Sequence, residues 1–106
     1  MFIAALAPRL VAGLWRYQTG SRVESSPTVS GGTVYVGSYD RYLYAVNATS
    51  GALRWRYLTG SGVSSSPTVS GGTVYVGSWD NNLNAVNATS GALRWQIGRA
   101  SGRERV

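Results

Sequence analysis

Short runs of β-branched and aromatic residues alternate with small polar clusters along most of the chain. Residues 64–96 show the pattern well. A run at 64–69 stops at Ser70-Gly71-Gly72, whose glycines permit a tight turn. Thr73-Val74-Tyr75-Val76 follows and predicts a second strand. Ser78-Trp79-Asp80-Asn81-Asn82 reads as a loop, because Asp and Asn side chains bond their own backbone. Residues 83–87 predict a third strand, Ala88-Thr89-Ser90-Gly91 a turn, and 92–96 a fourth strand. The apolar spacing alternates at two, which argues for strands over a helix. Pro27 and Pro67 suit strand edges or bulges, since neither can donate to a ladder.

This order of strands and turns occurs twice. One fourteen-residue string fills 25–38 and again 65–78, and Ala-Val-Asn-Ala-Thr-Ser-Gly-Ala-Leu-Arg-Trp fills 45–55 and again 85–95. The period is 40 residues. Between 15–54 and 55–94 only seven positions differ: Gln18/Leu58, Arg22/Gly62, Glu24/Ser64, Tyr39/Trp79, Arg41/Asn81, Tyr42/Asn82 and Tyr44/Asn84. Four short strands per forty residues, repeated, is the signature of a propeller blade.

The expected fold is therefore all-β: a partial β-propeller of two four-stranded antiparallel blades plus an N-terminal half blade. In the 40-residue register Ile3 falls on Leu43, Ala5 on Ala45 and Trp15 on Trp55. Residues 1–14 thus read as the third strand and damaged turn of a preceding blade, 15–54 as repeat 1 and 55–96 as repeat 2. Residues 97–106 match no part of the repeat and read as a basic tail, with only Gln96 continuing the last strand.

Composition narrows the chemistry. Cysteine and histidine are absent from the 106 residues, which removes disulfides, thiol chemistry, Cys/His zinc sites and histidine acid–base catalysis. Ten arginines stand against Glu24, Asp40, Asp80 and Glu104, for a net charge of +6. The arginines are spread rather than clustered within the blades, so no nucleic-acid site is expected. No apolar run approaches the ~20 residues of a membrane-spanning helix. The Asn47-Ala48-Thr49 and Asn87-Ala88-Thr89 acceptor patterns are already explained by a turn role for each Asn.

The segments Ala45-Val46-Asn47-Ala48-Thr49-Ser50-Gly51-Ala52-Leu53-Arg54-Trp55 and its copy with Ala85, Asn87, Ser90, Gly91 and Trp95 resemble the tryptophan-docking motif of PQQ-like β-propeller repeats. The N-terminal copy departs from it, with Ala7, Leu10 and Val11 in place of Asn, Ser and Gly, although Trp15 is kept. The resemblance implies that Trp15, Trp55 and Trp95 form a girdle of contacts between blades, each resting on a neighbour's turn. It also implies a cell-envelope setting, periplasmic or extracellular, with a role as a scaffold or protein-binding module. The rival reading is a fragment of a PQQ-dependent quinoprotein dehydrogenase, a family that carries the quinone, calcium, a vicinal disulfide and a catalytic Asp.

The residues themselves favour the binder. Asp40 and Asp80 occupy equivalent repeat positions a blade apart and cannot pair as acid and base. We therefore expect no enzyme, no catalytic residue, no cofactor and no metal. The expected partner is another protein, or a second copy through exposed blade faces.

Overall fold

Glycine turns and β-branched runs fold here into strands that pair almost entirely with their neighbours in sequence. The computed structural model describes the backbone of residues 2–6 and 14–98 and the side chains of 15–98. The expectations for Ala7, Leu10 and Val11 and for 99–106 lie outside the described residues. The strands are β1 (Phe2–Leu6), β2 (Leu14–Gln18), β3 (Thr28–Ser30), β4 (Thr33–Gly37), β5 (Tyr42–Asn47), β6 (Leu53–Leu58), β7 (Thr68–Ser70), β8 (Thr73–Gly77), β9 (Asn82–Asn87) and β10 (Leu93–Gly98).

They form three antiparallel sheets: β1-β2, β3-β4-β5-β6 and β7-β8-β9-β10. The chain is a partial propeller of two full blades and a half blade. In the half blade Ala5 faces Trp15, as Ala45 faces Trp55 and Ala85 faces Trp95 in the others. Each full blade breaks register once beside its tryptophan, between Ala45 and Val46 or between Leu93 and Trp95.

Two strand expectations are corrected. The first strand of each blade is only three residues long, because residues 64–67 run as loop into the N-terminal end of β7. The last strand runs to Gly98, with Ile97 facing Leu83 and Gly98 facing Asn82. Backbone pairing with β9 carries it on, and such pairing does not need the repeat's side chains.

Burial does not follow the simple alternation either. All five residues of β4 are buried, and so are Leu43 to Val46 of β5. A one-sided sheet buries alternate residues, but the first full blade is covered on both faces. On one face Val36, Tyr44 and Val46 meet Trp15, Tyr17 and Val23 of the preceding segment. On the other, Tyr35, Leu43, Ala45 and Trp55 meet Val63, Val74, Val76 and Val86. Each fully buried aliphatic side chain stabilises by about 1.5–3 kcal/mol.

The second blade has only its inner face covered by described residues. Leu83 is 41% exposed where Leu43 is 0%, and Trp95 is 44% exposed where Trp55 is 9%. Identical chemistry is thus buried or wet according to whether another described blade covers it.

Candidate functional site

The repeated polar residues are brought together where one blade meets the next. After β5 the Asn47 carboxamide accepts from the Thr49 and Ser50 N–H groups at 2.8 and 2.9 Å, and the Ser50 hydroxyl accepts from Ala52 N–H at 3.2 Å. Asn87 and Ser90 repeat these bonds. The turn then closes at Gly51 with φ +80° and at Gly91 with φ +79°, a region that β-carbon sterics deny most residues.

The missing side chain of that glycine makes the floor of a tryptophan seat. A Cβ on Gly51 would lie 2.7 Å from the Trp15 ring, and one on Gly91 would lie 2.6 Å from the Trp55 ring. The indole N–H groups then reach a backbone acceptor: Trp15 Nε1 donates to the Ala48 carbonyl at 2.8 Å, and Trp55 Nε1 to the Ala88 carbonyl at 3.0 Å. Tyr35 donates its hydroxyl to the same Ala88 carbonyl and meets the Trp55 ring at 5.9 Å. Ala45 and Ala85 are fully buried and pair across the sheet with Trp55 and Trp95. Trp95 keeps its ring contact with Tyr75, and no described carbonyl accepts from its indole.

A second tie between blades is not local in sequence. Asp40 and Asp80 are more than turn residues. Asp40 Oδ2 accepts from the Gly20 N–H at 2.8 Å and Asp80 Oδ2 from the Gly60 N–H at 3.0 Å, each reaching back to the preceding blade. Within their own loops the same carboxylates accept from the backbone N–H groups of Tyr42 and Asn82. The residue after each, Arg41 or Asn81, sits at positive φ, 81° and 71°. The recurring Thr-Gly-Ser at 19–21 and 59–61 was the available signal, but a contact twenty residues away is not written into local spacing.

The surroundings shift the titration of this tie. Burial pushes Asp40 up, but hydrogen bonds from Tyr44, Tyr42, Gly20 and Ser38 outweigh it and hold the carboxyl below its ordinary value. Its share of stability is present above the ordinary carboxylate range and is lost as pH falls through the lowered value. The Tyr44 hydroxyl, which donates to Asp40, is pushed up to about 12 by burial, then by that bond and the Asp40 charge. An unfolded tyrosine ionises near ~10. The Tyr44 share is therefore complete below about pH 10 and is lost as pH rises toward 12. Tyr44→Phe should flatten the fall in melting temperature between about pH 10 and 12. Tyr57, raised by burial and by the Asp80 charge, supplies the remaining slope. An unchanged slope in the variant would remove Tyr44 from this role.

A family model described as outer membrane protein assembly factor BamB matches residues 3–106. The chain belongs to this family. Its PQQ-like propeller repeats also appear in solved structures. BamB from Moraxella catarrhalis superposes with a TM-score of 0.74 at 24% identity, over 82% of this chain and 27% of that one, a likeness of fold. The quinohemoprotein alcohol dehydrogenase ADHIIG from Pseudomonas putida HK5 gives 0.68 at 28% identity, over 76% and 14%. Its counterpart from Comamonas testosteroni gives 0.69 at 26%, over 80% and 14%. The chain thus spans about a quarter of the BamB structure's length and a seventh of each dehydrogenase. No curated protein gives a significant match.

The quinoprotein likeness implies a quinone and calcium, and the described residues do not fit them. No three His, Cys, Asp or Glu side chains among the described residues stand together as metal ligands. The oxygens of Asp40 and Asp80 are already occupied by backbone N–H groups and neighbouring side chains. The chain has no cysteine for a vicinal disulfide.

Proposed function

We propose that this BamB-family segment is a non-enzymatic propeller scaffold that binds protein partners in the cell envelope, periplasmic or extracellular. One observation carries the reading: the polar side chains that recur in both blades (Asn47, Ser50 and Asp40, with Asn87, Ser90 and Asp80) are all spent on backbone groups of their own or the preceding blade. Chemistry that holds blades together leaves none of these groups free to act on a substrate. In this reading Trp15, Trp55 and Trp95, with the Asn-x-x-Ser-Gly turns, are docking elements between blades. The exposed Leu83, Trp95 and Ile97 then present a face for a further blade or for a second copy.

The alternative is a segment of a quinoprotein dehydrogenase, favoured by the 26–28% identity to the two alcohol dehydrogenases. No helix among the described residues is long and apolar enough to cross a membrane, under either reading. Titrating the purified chain with pyrroloquinoline quinone and calcium separates the two. The scaffold should leave the quinone spectrum unchanged apart from dilution. A saturable, calcium-dependent change in absorbance would overturn it in favour of the dehydrogenase.

A further inference from the structure

The two full blades enclose a cleft of about 330 Å³ at the end of the sheets that carries the Ser-Gly-Gly hairpins. Ser30, Thr33, Tyr35 and Arg54 line it from the first blade, Val69 and Thr89 from the second. Most of its polar groups are unspent. Among the described residues no carboxylate pairs with Arg54, and nothing bonds the hydroxyls of Ser30, Thr33 or Thr89. Thr33 is 6% exposed, so its hydroxyl gives up water without a protein bond in return. Such a group is costly to bury unless something occupies the space before it.

A break in register frees the arginine. Leu53 faces Val46 and Trp55 faces Ala45, which leaves Arg54 as the extra residue of a β-bulge. Bulges re-aim side chains and are common beside active sites. Blade docking does not require this one. In the half blade Leu14 holds the repeat position of Arg54 and faces Leu6, with Trp15 next facing Ala5, so no residue is extra there. Trp15 nevertheless rests on Gly51 and donates to the Ala48 carbonyl at 2.8 Å. The tryptophan seat is thus complete with neither the bulge nor the arginine. The charge at the cleft is also uncompensated, since Glu24, Asp40 and Asp80 all sit in the loops at the far end of the sheets.

We propose that this cleft binds the carboxylate of a small, partly apolar molecule. The planar guanidinium of Arg54 matches a carboxylate bidentately, with the hydroxyls of Ser30, Thr33 and Thr89 as further donors. Arg54 is the single cation lining the cleft among the described residues. One positive charge balances a carboxylate and leaves a doubly charged phosphate half compensated. The volume exceeds what a carboxylate fills, and Val69, Ala88 and the Tyr35 ring offer an apolar wall for the remainder. A free acid and the C-terminal end of a polypeptide share this chemistry. The site is independent of the scaffold reading and of the quinone titration that tests it.

NMR titration of the isotope-labelled full chain with N-acetyl-leucine tests the site through the Arg54 side-chain N–H and the Thr89 amide. Both signals should shift saturably. N-acetyl-leucinamide, neutral but of the same shape, should bind at least about tenfold more weakly. Arg54→Leu, which copies Leu14 of the half blade, should weaken binding about tenfold, and Arg54→Lys, which keeps the charge and loses the fork, about threefold. Thr33→Val should weaken it about threefold with no loss of melting temperature, because the hydroxyl makes no protein bond. Arg94→Leu, on the face that no described blade covers, should leave binding unchanged. Melting curves confirm that each variant folds, and Arg54→Lys keeps the test decisive should Arg54→Leu not. Alanyl-alanyl-leucine binding more tightly than the acid identifies a polypeptide terminus, and equal or weaker binding a free acid; either supports the site. An acid response that survives Arg54→Leu, equal binding of the neutral amide, or no saturable shift overturns the site. Tighter binding of inorganic phosphate overturns the carboxylate.

Discussion

Trp55→Ala is expected to destabilise the chain by about 3–5 kcal/mol, the range for truncating a buried aromatic. The Trp55 ring is 9% exposed, lies on the bare Cα of Gly91 and meets Tyr35 at 5.9 Å. Its loss leaves a void between two blades that closes only if β6 and the Gly91 turn move toward each other. The Ala88 carbonyl would keep only the weaker 3.2 Å bond from Tyr35. Trp79→Ala removes a mostly exposed ring and should cost no more than about 1 kcal/mol, as surface changes usually do. Trp95→Ala should fall between, since its ring is half wet. Urea melts at unchanged m-value give the ranking directly. Equal losses at Trp55 and Trp79 would show that the seat at Gly91 contributes little.

The second large effect is expected at the glycine itself. Gly91→Val places a Cβ 2.6 Å from the Trp55 ring at φ +79°. A β-branched residue held there costs about 1–3 kcal/mol in backbone strain alone, before the displaced tryptophan is counted. Gly51→Val meets Trp15 in the same way. Ser90→Ala and Ser50→Ala lose a single 3.2 Å bond each, worth about 0.5–1.5 kcal/mol. The valine variants should therefore melt well below the alanine ones, and Gly91→Val should also lose the near-UV dichroism of an ordered Trp55. Valine and alanine variants of matching stability would mean that the turn relaxes out of the left-handed region at no cost.

Much of this arrangement was legible in the chain. The Asn-x-x-Ser-Gly turn is local: Asn47 and Ser50 bond groups two or three residues away, so type and spacing suffice to predict it. The 40-residue period then implies that whatever Trp15 does to Gly51, Trp55 does to Gly91. The half blade was readable for the same reason, as its Ala5–Trp15 pairing repeats the register of the others.

Other features depended on which blade neighbours which. Asp40 and Asp80 looked like loop residues because their ties to Gly20 and Gly60 cross from one sheet to the next. Tyr39 and Trp79 looked like a substitution at one repeat position, and they are in fact a contact pair between two blades. Short-range backbone preference and the period were enough to place most strands, the turns and the order in which blades stack. Burial was not readable from the chain. Leu43 and Leu83 hold the same repeat position and the same register, opposite Gly37 and Gly77, yet one is fully enclosed and the other 41% exposed. Removal of apolar surface from water depends on the neighbour that covers it, and that neighbour is a whole blade away in the chain.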